Sequence, residues 1–89
     1  MEVSLHPIPG KYLKRLNEPD KGHIKAALKG LEKEPPKGNI TPIVGHPGYF
    51  RLTIGNYRAI FRYVNNYILV THLDPRGQAY KKKNKGGKR

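Results

Sequence analysis

Cysteine is missing from this 89-residue chain, which excludes a disulfide framework and any Cys-based metal site. Acidic residues are scarce, six against 18 Lys and Arg. Five of them (Glu2, Glu18, Asp20, Glu32, Glu34) lie in the N-terminal portion, so only Asp74 is left for a paired-carboxylate site near the C-terminal end. Ser4 is the only serine, and its place in the first strand speaks against a nucleophilic Ser triad. No apolar run approaches the roughly 20 residues that a membrane helix needs. The start, Met-Glu-Val-Ser-Leu-His-Pro, lacks the charged opening and long apolar stretch of a signal peptide. A cytoplasmic protein with no membrane contact is therefore expected. His, Asp and Glu show no metal-ligand spacing. Gly86-Gly87 within a lysine run is linker composition rather than a phosphate-cradling loop. No metal or cofactor is expected.

What the chain has in excess is positive charge, a formal +12. The tail from Lys81 to Arg89 carries six of the basic residues and no acid, leaving residues 1–80 a net charge of +6. The folded part is thus basic in its own right, which favours an anionic partner, either nucleic acid or an acidic protein segment. The length suits one domain, assigned to residues 1–80, followed by a basic tail over 81–89.

The pattern predicts an α+β fold in the order β-α-α-β-β-β, a helical hairpin packed on a mainly antiparallel sheet. Three apolar and aromatic runs, Tyr49 to Ile54, Tyr57 to Val64 and Tyr67 to Leu73, are separated by Gly55-Asn56 and Asn65-Asn66. That is the pattern of strands joined by tight hairpins. Glu2 to His6 alternates and reads as a short strand before Pro7. Tyr12, Leu13 and Leu16 fall at helical spacing, with Pro9 in the first turn. Ile24, Ala27, Leu28 and Leu31 form a second stripe opposed by Lys21, Lys25, Lys29 and Lys33, with Asn17 as its expected cap and Pro35-Pro36 beyond its end. Residues 37–48, rich in Pro and Gly, read as a loop with a short extended segment near Thr41 to Val44 that returns to the sheet. The last strand is expected to end at Leu73 or Asp74, before Pro75. In the middle strand Arg58, Ile60, Arg62 and Val64 share one face and Tyr57, Ala59, Phe61 and Tyr63 the other. Composition alone does not say which of these faces points inward.

These residues resemble the RelE/ParE superfamily of toxins from bacterial type II toxin–antitoxin modules. The similarity covers the short strand, the helical hairpin and Thr-Pro-Ile-Val-Gly at 41–45, where the family commonly has Lys-Pro-Leu-basic-Gly. It is most specific at Tyr49-Phe50-Arg51-Leu52-Thr53-Ile54-Gly55-Asn56-Tyr57-Arg58, against the family's Tyr-Arg-Leu-Arg-Val-Gly-Asp-Tyr-Arg. It closes at Asp74-Pro75-Arg76-Gly77-Gln78-Ala79-Tyr80-Lys81, which looks like the family's His-Arg-Arg-Glu-Val-Tyr. The resemblance implies a toxin neutralised by a cognate antitoxin protein. RelE-like members are metal-independent endoribonucleases that cut messenger RNA on the ribosome; ParE-like members poison DNA gyrase; some members have no demonstrated toxicity. The fold does not choose among them.

Cleavage through the RNA 2′-hydroxyl needs a proton acceptor, a cation for the crowded phosphate and an acid for the leaving 5′-oxygen. Carried over residue by residue, the resemblance assigns Arg58 and Arg76 to phosphate stabilisation, suited by the planar, permanently charged guanidinium. It assigns Arg51 to backbone positioning and Tyr80 to proton transfer or base stacking. Lys81, Lys82 and Lys83 extend the RNA-binding surface. The chain departs from the pattern at Thr41, Val44 and Thr53, where the family has cations. Histidine is the natural proton carrier near neutral pH, so His72, close in sequence to Arg76 and Tyr80, is a further catalytic candidate. His46, in the loop, is a further RNA-binding candidate.

Overall fold

The computed structural model describes residues 1–75. Pro7, with its ring pre-set for a first helical turn, ends strand β1 (Glu2–Leu5) and opens helix α1 (Pro7–Arg15). Pro9 lies in the first turn, as expected, and is buried. Helix α2 follows over Asp20–Gly30. Its first turn is served by Glu18, whose Oε1 accepts the Gly22 N–H at 2.9 Å. Asn17, the expected cap, contributes its backbone carbonyl to the Lys21 N–H instead. Asp20 stands at the positive end of the helix dipole, as its position suggested.

The chain then re-enters the sheet as β2 (Asn39–Pro42), followed by β3 (Tyr49–Ile54), β4 (Tyr57–Val64) and β5 (Tyr67–Pro75). The extended segment expected near Thr41 is thus a full edge strand that begins two residues earlier, at Asn39. Gly38 makes that entry possible: its φ is +131°, and a Cβ there would meet Leu52 Cδ1 at 2.7 Å. The β3–β4 and β4–β5 hairpins turn on the predicted residue pairs. Gly55 and Asn65 take the left-handed conformation that such turns require, at φ 55° and 52°. β5 runs on to Pro75, opposite Tyr57; at the last strand position its missing N–H costs little.

The sheet order is β1-β5-β4-β3-β2. β1 pairs with β5 in parallel, and the other pairs are antiparallel. The helical hairpin carries the chain from β1 at one edge of the sheet to β2 at the other, and the parallel β1–β5 pair is closed only after β2, β3 and β4. Its stripe, Leu13 from α1 with Ile24, Leu28 and Leu31 from α2 and its end, meets Leu52, Ala59, Phe61, Ile68, Val70 and Leu73. Phe61 is fully buried and stacks on Phe50 with centroids 5.6 Å apart. The inward side of β4 is therefore the one carrying Ala59 and Phe61. Arg58, Ile60 and Arg62 take the opposite face.

Candidate nucleic-acid interface

Register places the strand arginines together. Directly paired residues on adjacent strands point to the same side of a sheet. Thr41, Arg51, Ile60 and His72 form one row across four strands, and Asn39, Thr53, Arg58 and Asp74 form the next. Tyr49 pairs with Arg62 on the other side of the first row. Ile60 is thus ringed by Arg51 and His72 on its flanks and by Arg58 and Arg62 two positions along its own strand. Direct neighbours in such a lattice have Cβ atoms about 4.5–5.5 Å apart and diagonal ones about 7–8 Å, within reach of long side chains. This is the sheet face opposite α1 and α2.

The face stays cationic because carboxylates are few, and three of the six are occupied elsewhere. Glu32 accepts the Val3 N–H at 2.8 Å, Glu18 accepts from Gly22, and Asp20 accepts the Tyr57 hydroxyl at 2.7 Å. Asp74 alone stands in register with an arginine, Arg58. Arg58 Nε is buried without a hydrogen-bond partner among the described residues. Arg62 stacks over Tyr49, its Cζ 5.5 Å from the ring centroid, and donates from Nη1 to the Tyr49 hydroxyl at 3.3 Å. An aromatic ring beside guanidinium groups suits a polyanion that carries bases.

A β-bulge puts His72 on this face. Ile60 pairs with His72 but Phe61 pairs with Val70, so Thr71 is the extra residue. Simple alternation from Ile68 and Val70 would send His72 into the core and Leu73 outward. The inserted residue reverses that: Leu73 is buried and His72 exposed. The Thr71 hydroxyl lies 3.3 Å from the Ile60 carbonyl oxygen and 2.9 Å from His72 Nδ1.

Of the residues singled out from sequence, Arg51, Arg58 and His72 come together. His46 does not join them; it lies in the exposed β2–β3 loop, edge-on to Tyr49 at 6.5 Å. Arg76, Tyr80, Lys81, Lys82 and Lys83 lie outside the described residues. Arg62 and Thr71 were not among the predicted site residues. Arg62 was signalled by its alternation with Arg58; Thr71 carried no local signal beyond the three-residue step from Val70 to Leu73. The departures from the family pattern fall on and beside this face. Thr41 is opposite Arg51, Thr53 is opposite Arg58, and Val44 is 96% exposed in the loop.

A second surface feature is apolar. A groove of about 400 Å³ runs between β1 and the two helices, floored by Val3, Leu5, Leu13 and Leu28 with Lys25, Lys29 and Glu32 along it. Among the described residues, no three His, Asp or Glu side chains converge as metal ligands, and no helix is long and apolar enough to cross a membrane.

A helical hairpin on one face of a five-stranded sheet and a cluster of guanidinium groups on the other define a small basic α+β protein built around a charged β-surface. Residues 10–80 match the family model described as ParE toxin of type II toxin-antitoxin system, parDE. The chain belongs to this family, and with it to the RelE/ParE superfamily of toxins. Among solved structures it is similar to the RelB-RelE antitoxin-toxin complex from Methanococcus jannaschii, with a TM-score of 0.70 and 21% identity over 88% of this chain and 95% of that one. It is also similar to the archaeal RelE-RelB complex from Pyrococcus horikoshii OT3, with a TM-score of 0.69 and 25% identity over 86% of this chain and 96% of that one. No curated protein sequence matches it significantly.

Proposed function

We propose that this toxin is a metal-independent endoribonuclease that cuts messenger RNA on the ribosome and so inhibits translation. The observation that carries the reading is the convergence of Arg51, Arg58, Arg62 and His72 around Ile60 on the sheet face opposite the helices. Arg58 is the phosphate-stabilising cation, because its guanidinium is partly withdrawn from solvent and its Nε lacks a protein acceptor among the described residues. Arg51 and Arg62 hold the backbone on either side, and Tyr49 offers a ring for a base. Arg76 and Tyr80 complete the set from the chain's C-terminal portion. Tyr80 serves as acid or as a stacking platform, and Lys81, Lys82 and Lys83 add RNA-binding charge.

A cognate antitoxin is the protein partner. Its apolar segment lies in the groove of Val3, Leu5, Leu13 and Leu28, and acidic residues on that segment meet Lys25 and Lys29. An antitoxin segment that orders only on binding fits such an open, charged-rimmed groove. The reading as a gyrase inhibitor is favoured by one observation, that the matching family model is ParE.

The deciding experiment is induction in cells of the wild type and of the Arg58→Ala, Arg76→Ala and Tyr80→Phe variants. RNA 5′ ends are mapped and gyrase supercoiling is assayed in parallel. Codon-phased cuts that vanish with the arginines are expected. Intact messenger RNA with inhibited gyrase would replace this reading with the second one.

A further inference from the structure

The bulge at Thr71 does more than turn His72 outward. A carbonyl oxygen can only accept, so the contact between the Thr71 hydroxyl and the Ile60 carbonyl spends the single hydroxyl proton. The oxygen of Thr71 is then left as an acceptor, 2.9 Å from His72 Nδ1. With the hydroxyl proton held by the Ile60 carbonyl, the ring nitrogen that faces the oxygen is the one that carries hydrogen; in the opposite tautomer the hydroxyl would donate to Nδ1 instead. In the neutral imidazole the Nδ1–H arrangement leaves Nε2 as the bare, basic nitrogen. It belongs to an exposed residue in the row of Arg51 and Ile60, diagonal to Arg58.

We infer that Thr71 is a positioning residue that fixes His72 in the Nδ1–H tautomer, and that His72 Nε2 is the acceptor for the RNA 2′-hydroxyl proton. This rests on the ribonuclease reading and adds to it the base and the residue that orients it. In the step itself, Nε2 takes the proton of the 2′-hydroxyl. O2′ forms a bond to phosphorus while the P–O5′ bond breaks. The departing 5′-oxygen takes a proton from solvent or from a neighbouring acid, and the imidazolium later returns its own proton to solvent. The products are a 2′,3′-cyclic phosphate and a 5′-hydroxyl end. Arg58, diagonal to the base, lies where it can hold the phosphate oxygens during the exchange.

The charged and titratable groups around His72 are Arg51 from β3, Arg58 and Arg62 from β4 and Asp74 from β5. From the β1 side comes His6, whose N–H bonds the Val70 carbonyl at 3.0 Å.

Two readouts test the assignment. Nitrogen-15 correlation spectra of the full chain report which ring nitrogen of neutral His72 carries hydrogen. Single-turnover cleavage of ribosome-bound messenger, followed against pH, reports the chemistry. The wild type should show Nδ1–H. Thr71→Val, which keeps the branched shape, should lose that preference and cleave about tenfold more slowly, whereas Thr71→Ser should retain both. His72→Gln should cost about 10²–10⁴-fold, as removal of a general base does, and should abolish the acidic limb of the pH profile. Nε2–H in the wild-type ring, or a Thr71→Val protein with unchanged tautomer and rate, would overturn the inference while leaving cleavage by the arginine face intact. A wild type that does not cut messenger at all would overturn the ribonuclease reading itself, and His72's role with it.

Discussion

The Tyr57 hydroxyl donates to Asp20 Oδ2 at 2.7 Å, tying the start of β4 to the first turn of α2 across 37 positions of chain. The bond joins the helical layer to the strand that bears Arg58. It also leaves a titration signature. Tyr57 is pushed up to about 12 from its ordinary value of 10.0, first by the hydrogen bond to Asp20, then by burial and the charge of Asp20. A folded-state value above the unfolded one means the native protein holds that proton more tightly. The resulting stability is whole below about pH 10 and fades as the pH climbs from there through 12. Tyr57→Phe should cost about 1 kcal/mol at neutral pH. Denaturant melts of the variant should also lose this component of the alkaline decline.

The core makes a simpler demand. Phe61 is fully buried and stacked on Phe50, so Phe61→Ala should destabilise by about 3–5 kcal/mol. That is a large share of the total for a domain of this size. Val44→Ala, at a position 96% exposed, should stay within about 0.5 kcal/mol. Urea unfolding midpoints of the two variants give the comparison.

Arg62 offers a test of the charged face that does not depend on chemistry. If it contacts one phosphate, Arg62→Ala should reduce the salt dependence of RNA binding, flattening the log–log slope by about 0.7 for a single strand. Affinity should fall by a similar factor across unrelated sequences, since a phosphate contact carries no base preference. Filter binding at several salt concentrations reads both quantities.

The groove beside β1 predicts a separable behaviour. Lys25→Glu combined with Lys29→Glu should slow antitoxin association at least about tenfold at low salt, because rim charges chiefly steer encounter. Both lysines lie on exposed turns of α2, so RNA cleavage by the free toxin should be unchanged. Stopped-flow association and a cleavage assay on the same preparation separate the two surfaces.

Much of this architecture is written locally, and some is not. The hairpins at Gly55-Asn56 and Asn65-Asn66 are legible because turn chemistry and β-branched runs act within a few residues of each other. The helical stripe of Ile24, Leu28 and Leu31 is legible for the same reason. Alternation on β4 groups Arg58 with Arg62, yet both faces contain apolar residues. Only the helices' choice of partner decides that Phe61 goes inward. The cap of α2 depends on which polar side chain reaches the free N–H groups, and Glu18 reaches Gly22 where Asn17 was expected. The edge strand β2 is legible as an extended segment near Thr41 to Val44, but its bounds, Asn39–Pro42, are set by pairing with β3, a long-range event that the Pro- and Gly-rich sequence does not locate. The bulge is the clearest case. Nothing local to Thr71 marks it; it arises because Val70 and Leu73 must both reach a core assembled by distant residues, and His72 is turned out as a consequence.

The most direct test is single-turnover cleavage of messenger bound to programmed ribosomes, comparing wild type with Arg58→Ala and Arg58→Lys. The account predicts loss of about 10²–10³-fold for the alanine variant, as for removal of a transition-state charge donor. Incomplete recovery is predicted with lysine, which lacks the planar fork. Equal rates for all three proteins, each verified as folded, would contradict it.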